Sequence, residues 1–74
     1  MEIKVGIQHV NREVVVETTE TAAAVERAFS EAVESQGVFT LADERGRRVL
    51  IPSSKIAYVD LGEEHARKVG FGTL

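Results

Sequence analysis

The stretch VFTLADERGRRVLIPSSKIAYVDLG, residues 38–62, decides the fold. It contains three short apolar runs separated by two compact turns. Residues 43–46, DERG, have the composition of a type I turn closed by a residue at positive φ, where glycine avoids the Cβ clash of other residues. Pro52 ends the second run because proline cannot donate a hydrogen bond to a β ladder. The stretch therefore predicts a three-stranded meander with strands at 38–42, 47–51 and 55–61.

Length and composition restrict what holds this chain together. A chain of 74 residues is one small domain and buries only about 60% of its unfolded surface. It has no cysteine and two isolated histidines, His9 and His65, so we expect neither a disulfide framework nor a metal site. No apolar run approaches the roughly 18 residues of a membrane helix, and the N-terminus lacks the pattern of a secretory signal. We expect a cytoplasmic protein with no membrane contact.

Charge is unevenly distributed along the chain. Residues 1–37 hold three basic and seven acidic side chains, a balance of -4, whereas residues 38–74 hold six basic and five acidic ones, a balance of +1. General binding of polyanions needs a surplus of cations on one surface. The acidic half therefore argues against a nucleic-acid partner.

The first 17 residues alternate with a period of two, which predicts a hairpin of strands 2–7 and 12–17. Asn11 is the expected left-handed residue between these strands. From residue 18 the apolar period changes to 3.6, which predicts one amphipathic helix that begins after Thr21 as its N-cap and ends at Gly37. The apolar face of this helix is expected to consist of Val25, Ala28, Phe29, Ala32 and Val33.

These elements predict an α+β domain over residues 1–62, with a single helix packed on one face of a mostly antiparallel five-stranded sheet (ββαβββ). The favoured strand order is 2-1-5-4-3, and 2-1-3-4-5 is the alternative, because both keep the connections short. One helix covers only one face of such a sheet. The other face is expected to expose Val15, Leu50, Ile56 and Tyr58.

The tail at residues 63–74, EEHARKVGFGTL, holds one apolar anchor, Phe71, between two glycines. Two outcomes are open for it. The tail docks on the uncovered face of the sheet, or it frays.

Three blocks of the chain carry a resemblance to a known family. Residues 43–48, residues 56–59 with Gly62, and residues 69–72 resemble a family of small actinobacterial proteins of unknown function, some of which are labelled ATP-binding. The resemblance covers nearly the whole chain and implies kinship rather than an activity, and family members often continue past the GFG segment. The strand, turn, strand, helix order of residues 1–33 is also similar to ubiquitin-like β-grasp domains, but the chain lacks their terminal Gly-Gly, so we expect no conjugation.

No catalytic constellation and no phosphate-binding glycine loop is present in the sequence. We therefore expect a non-enzymatic module without a cofactor that binds a protein partner or forms a homodimer. Its interaction face would consist of Val15, Leu50, Ile56, Tyr58 and Phe71.

The competing hypothesis from another class is nucleotide or nucleic-acid binding at the basic end of the meander. Arginine side chains fork onto phosphate groups, and a lysine supplies a further cation. The residues that would contact phosphate are Arg45, Arg47, Arg48 and Lys55.

Overall fold

The computed structural model describes residues 1–62, and the predicted tail with Phe71 lies outside the described residues. Within residues 1–62, one helix and five strands occur in the order ββαβββ, which confirms the α+β class. The elements are β1 (Glu2–Ile7), β2 (Glu13–Glu17), α1 (Ala22–Ser35), β3 (Val38–Ala42), β4 (Arg48–Pro52) and β5 (Ile56–Leu61), with a short 3₁₀ turn at Ser53–Lys55 between β4 and β5.

The strands divide into two antiparallel sheets, one in the order β2-β1-β5 and one formed by β3 and β4. β5 lies beside β1, as in the favoured order, and the alternative order with β3 beside β1 is wrong. β4 does not pair with β5 in the described residues. The two sheets meet instead where the backbone N–H of Glu44 donates to the carbonyl oxygen of Glu17 at 2.9 Å.

The β3–β4 hairpin has the predicted turn. The N–H of Gly46 donates to the carbonyl of Asp43 at 3.0 Å, and the N–H of Asp43 donates to the carbonyl of Arg47 at 2.8 Å. Gly46 has a φ of 91°, so the predicted positive-φ residue is confirmed. This geometry pairs Ala42 with Arg48 and places β4 one residue later than the sequence indicated.

The helix begins as predicted, because the Thr21 hydroxyl accepts a hydrogen bond from the N–H of Ala24 at 3.1 Å. Its end differs from the prediction. The left-handed residue is Gln36, with a φ of 57°, and not Gly37. The N–H of Gly37 donates to the carbonyl of Ala32 at 2.8 Å, so this carbonyl of the last helical turn has a hydrogen-bond partner. The left-handed residue that ends the helix thus comes one position earlier than predicted.

The core lies between α1 and the inner faces of both sheets. Phe39 is fully buried, and its ring meets that of Phe29 edge to face, with ring centres 5.3 Å apart. This is a favoured geometry for two aromatic rings. Val33 was predicted to lie on the apolar face of the helix but is exposed. The buried apolar residues are Ile3, Val5, Val16, Val25, Ala32, Phe39, Leu41, Ile51 and Ile56.

The turn between β1 and β2 also differs from the prediction. The left-handed residue is His9, with a φ of 63°, whereas Asn11 has no positive φ. The turn closes on itself, because the N–H of Val10 donates to the carbonyl of Ile7 at 3.2 Å. The reversal of the chain therefore comes two residues earlier than Asn11.

In the described part of the chain, no helix is long and apolar enough to cross a membrane.

Gly46 provides a test of the hairpin register. A Cβ atom at this position would meet no other atom within 4 Å, so the cost of a side chain comes from the backbone alone. We expect Gly46→Val to lower the free energy of unfolding by about 1–3 kcal/mol, because valine is strained at positive φ. Chemical denaturation measures this change. Arg45→Val, in the same turn but without a positive φ, is the matched control, and an equal effect of both substitutions would show that the turn is wrong.

Candidate interaction surface

The outer face of the β3–β4 hairpin presents apolar side chains to solvent. Leu50 is 63% exposed and Val38 is 52% exposed. The register places Val38 opposite the exposed Pro52, and Leu50 opposite Thr40 on the same face. Side chains at such positions are neighbours across and along the strands. Val38, Leu50 and Pro52 form one surface, which we call the hairpin patch.

The outer edge of β4 has backbone groups available for pairing. Asp43 and Arg47 form a hydrogen-bonded pair at the turn, and bonded pairs alternate with non-bonded pairs along an antiparallel ladder. The N–H and C=O groups of Arg48 and Leu50 therefore point away from β3. Within residues 1–62, β3 is the only strand paired with β4.

The outer face of the other sheet is organised by Tyr58. This residue pairs with Gly6 of β1, which in turn pairs with Glu13 of β2. The tyrosine ring lies over Gly6, where any Cβ atom would overlap it, and the hydroxyl donates a hydrogen bond to a Glu13 carboxylate oxygen. One side chain thus spans all three strands.

The contact with Glu13 also changes the acidity of the tyrosine. The hydrogen bond to the Glu13 carboxylate is the main cause that raises the pKa of Tyr58 above its ordinary value. Burial of the hydroxyl and repulsion from Glu13 and Asp60 raise the pKa further. Tyr58 therefore stays neutral as a hydrogen-bond donor through the physiological pH range.

The structure separates the five residues of the predicted interaction face. Val15 is 50% exposed and Tyr58 is 46% exposed on the three-stranded sheet, and Leu50 is exposed on the hairpin. The prediction that Ile56 is exposed on this face is wrong, because the residue is buried in the core. The register between β1 and β5 shifts between Gly6 and Ile7, so that Ile7 pairs with Ile56 and Ala57 is an extra residue. Such a bulge turns Ile56 to the inner face. Phe71 lies outside the described residues.

The four predicted phosphate-contacting residues do not converge. Arg45 and Arg47 lie in the hairpin turn and Arg48 begins β4, whereas Lys55 follows the far end of that strand. Five residues of strand span about 16 Å. Lys55 lies instead beside the first hairpin, where its carbonyl accepts a hydrogen bond from the N–H of Gln8 at 2.8 Å.

Arg47 is already engaged by a carboxylate. Its Nε donates to Oδ2 of Asp43 at 2.9 Å, and Oδ1 accepts from the N–H groups of Arg45 and Arg47. These bonds, above all the one from the Arg47 side chain, lower the pKa of Asp43. Asp43 and Arg47 line a cleft of about 400 Å³, and the acidic Glu17 and Glu44 also line it. A phosphate in this cleft would meet carboxylates as well as cations.

Among residues 1–62, no group of three or more histidine, cysteine, aspartate or glutamate residues is placed to hold a metal ion.

Sequence reasoning missed three residues of these surfaces. Val38 and Pro52 were not among the candidates, because the predicted second strand of the hairpin ended at residue 51, whereas β4 extends to Pro52, which pairs with Val38. Glu13 was not recognised as the partner of Tyr58. That contact depends on the pairing of β1 with both β2 and β5, which brings together residues that are 45 positions apart in the sequence.

Within residues 1–62, the fold and these surfaces define a small α+β domain with exposed apolar side chains on a sheet face, and with an outer edge of β4 that pairs with no other strand. The chain belongs to a family of proteins of unknown function (DUF3107), whose family model matches residues 1–72. The resemblance to a family of unknown function is confirmed. The search of curated proteins found no match for this chain.

The Tyr58 ring explains why residue 6 is glycine. We expect Gly6→Ala to lower the free energy of unfolding by about 1–3 kcal/mol, because the new methyl group displaces the ring. In a Tyr58→Ala background the same substitution should cost clearly less, because the space over residue 6 is then open. Chemical denaturation of the four proteins gives this coupling. Equal costs in the two backgrounds would contradict the ring position.

Proposed function

We propose that this protein is a cytoplasmic, non-catalytic module that associates with a second copy of itself through β4. The observation that carries the proposal is the position of the hairpin patch beside a strand edge with free backbone groups. Leu50 belongs to both features. Its side chain is the most exposed of the large apolar side chains in the described residues, and its backbone groups face outward.

Edge strands of monomeric proteins usually carry features that prevent pairing with another chain. Charged side chains, proline, bulges and a covering helix or loop are the common ones. β4 has Arg48 at its start and Pro52 at its end, but an exposed leucine stands at its centre. The register is a regular ladder along the whole strand, from the pair of Ala42 with Arg48 to the pair of Val38 with Pro52. The middle of this edge is therefore open to pairing.

A two-fold axis at Leu50 would give the outward-facing backbone groups of β4 hydrogen-bond partners. An antiparallel pair of β4 strands would place Leu50 opposite Leu50 of the second copy, and Arg48 opposite Pro52 of the second copy. Residues whose backbone groups face outward would then form about four hydrogen bonds between the copies. Proline is needed only as an acceptor in this register. The arginines do not oppose each other, and the two leucine side chains cover one another from water.

Two-fold association is also the simplest closed assembly for such a surface. The same residues form the interface on both copies, so a dimer buries both interfaces and leaves none to extend the assembly into a fibre. The product would be a four-stranded sheet formed by two hairpins. This arrangement removes the outer edges of both β4 strands from solvent.

Leu50→Lys tests the proposal directly. We expect the unmodified protein to show a mass above the 8.1 kDa monomer that increases with concentration in light scattering. We expect Leu50→Lys to stay monomeric, because two opposed lysines repel each other across the two-fold axis.

Val10→Lys is the matched control, because Val10, like Leu50, is an exposed aliphatic residue but lies in the turn between β1 and β2. It should associate like the unmodified protein. Circular dichroism of both variants verifies that they fold. A folded, unmodified protein that remains monomeric at every concentration, or equal loss of association in both variants, would contradict the proposal.

A further inference from the structure

We infer that the groove between α1 and β5 is the docking site for the C-terminal segment of the same chain, with the Phe71 side chain as its occupant. The groove is lined by four apolar residues and one charged one. The lining residues are Val25, Glu26, Phe29, Val59 and Leu61.

The size of the groove favours a side chain over a small molecule. Its volume is about 140 Å³, whereas ligand pockets typically measure about 300–1,000 Å³. Phe29, Val59 and Leu61 are only partly buried, although all three pack against the core. A single apolar side chain in the groove would complete their burial.

The path of the chain leads to this groove. Leu61 is the last residue of β5 and forms part of the groove wall, so the C-terminal segment starts at its border. Gly62 is held against β1, because its N–H donates to the carbonyl of Glu2 at 2.8 Å. Phe71 is nine positions after Gly62 in the chain, and an extended chain reaches about 30 Å over nine positions. Phe71 can therefore return to the groove without strain.

Phe71 fits the site by chemistry as well as by reach. It is the one aromatic residue of the segment 63–74, and the glycines on both sides let the backbone approach the groove closely. The exposed carboxylate of Glu26 lies at the rim of the groove. Arg67 and Lys68 precede Phe71 by four and three residues, so opposite charges would meet at the rim. The family model also extends through residue 72, and the segment is thus part of the family's domain.

The outer sheet faces suit this segment less well. The Tyr58 ring already lies over Gly6 of the middle strand and reaches Glu13, so it occupies part of the outer face of the three-stranded sheet. The hairpin patch lies on a different sheet and has no acidic residue on its face to attract Arg67 and Lys68. The groove offers both apolar walls and a carboxylate.

Nuclear magnetic resonance of the isotope-labelled full chain tests the inference. We expect nuclear Overhauser contacts between the Phe71 ring and the methyl groups of Val59 and Leu61. Phe71→Ala should shift these methyl resonances and lower the denaturation midpoint. Leu74→Ala, which removes the other large apolar side chain near the end of the chain, should leave both unchanged.

Three results would overturn the inference. The first is unchanged Val59 and Leu61 methyl resonances in Phe71→Ala. The second is a set of Phe71 contacts with Val15, Tyr58 or Leu50, which would place the segment on an outer face. The third is that the contacts arise between copies in a mixture of labelled and unlabelled protein. The same spectra of Leu50→Lys separate this inference from self-association, because the Phe71 contacts should persist in a monomer.

Discussion

The fold depends most on the backbone geometry at Gly46. A glycine at positive φ, together with the hydrogen bond from Asp43 N–H to the Arg47 carbonyl, fixes which residues of β3 and β4 oppose each other. A shift of one residue would turn every side chain of a strand to the opposite face. In the observed register Phe39 lies in the core and Leu50 in solvent. The same turn therefore determines both the packing against α1 and the surface that we propose for association.

The bulge at Ala57 has a similar effect on the other sheet. It returns Ile56 to the core and leaves Tyr58 on the outer face, opposite Gly6. Gly6 has no side chain, and the ring fills that space and protects the backbone of β1. The two outer faces therefore differ in character. One is partly covered by its own tyrosine, and the other leaves Val38 and Leu50 uncovered.

The sequence predicted the features that depend on local chemistry. Alternation assigned Val15 to the outside, the Thr21 hydroxyl marked the helix start, and the DERG turn required its glycine. The predictions that were wrong concern residues whose position is set by contacts between distant parts of the chain. Ile56 lies beside a bulge that forms only against β1. Lys55 was predicted to lie near Arg47, but strand β4 separates the two residues. The division into two sheets also involves the hydrogen bond between Glu44 of the hairpin turn and Glu17 of β2, and no local sequence pattern predicts this contact.

Hydrogen exchange at the edge of β4 tests the central claim, self-association through this strand, most directly. In a dimer paired about Leu50, the backbone N–H groups of Arg48 and Leu50 are hydrogen-bonded to the second copy, so their exchange should slow as the protein concentration increases. The N–H of Val49 points toward β3 and should exchange at a rate that responds to concentration much less. Exchange at Arg48 and Leu50 that is fast and independent of concentration would contradict the account.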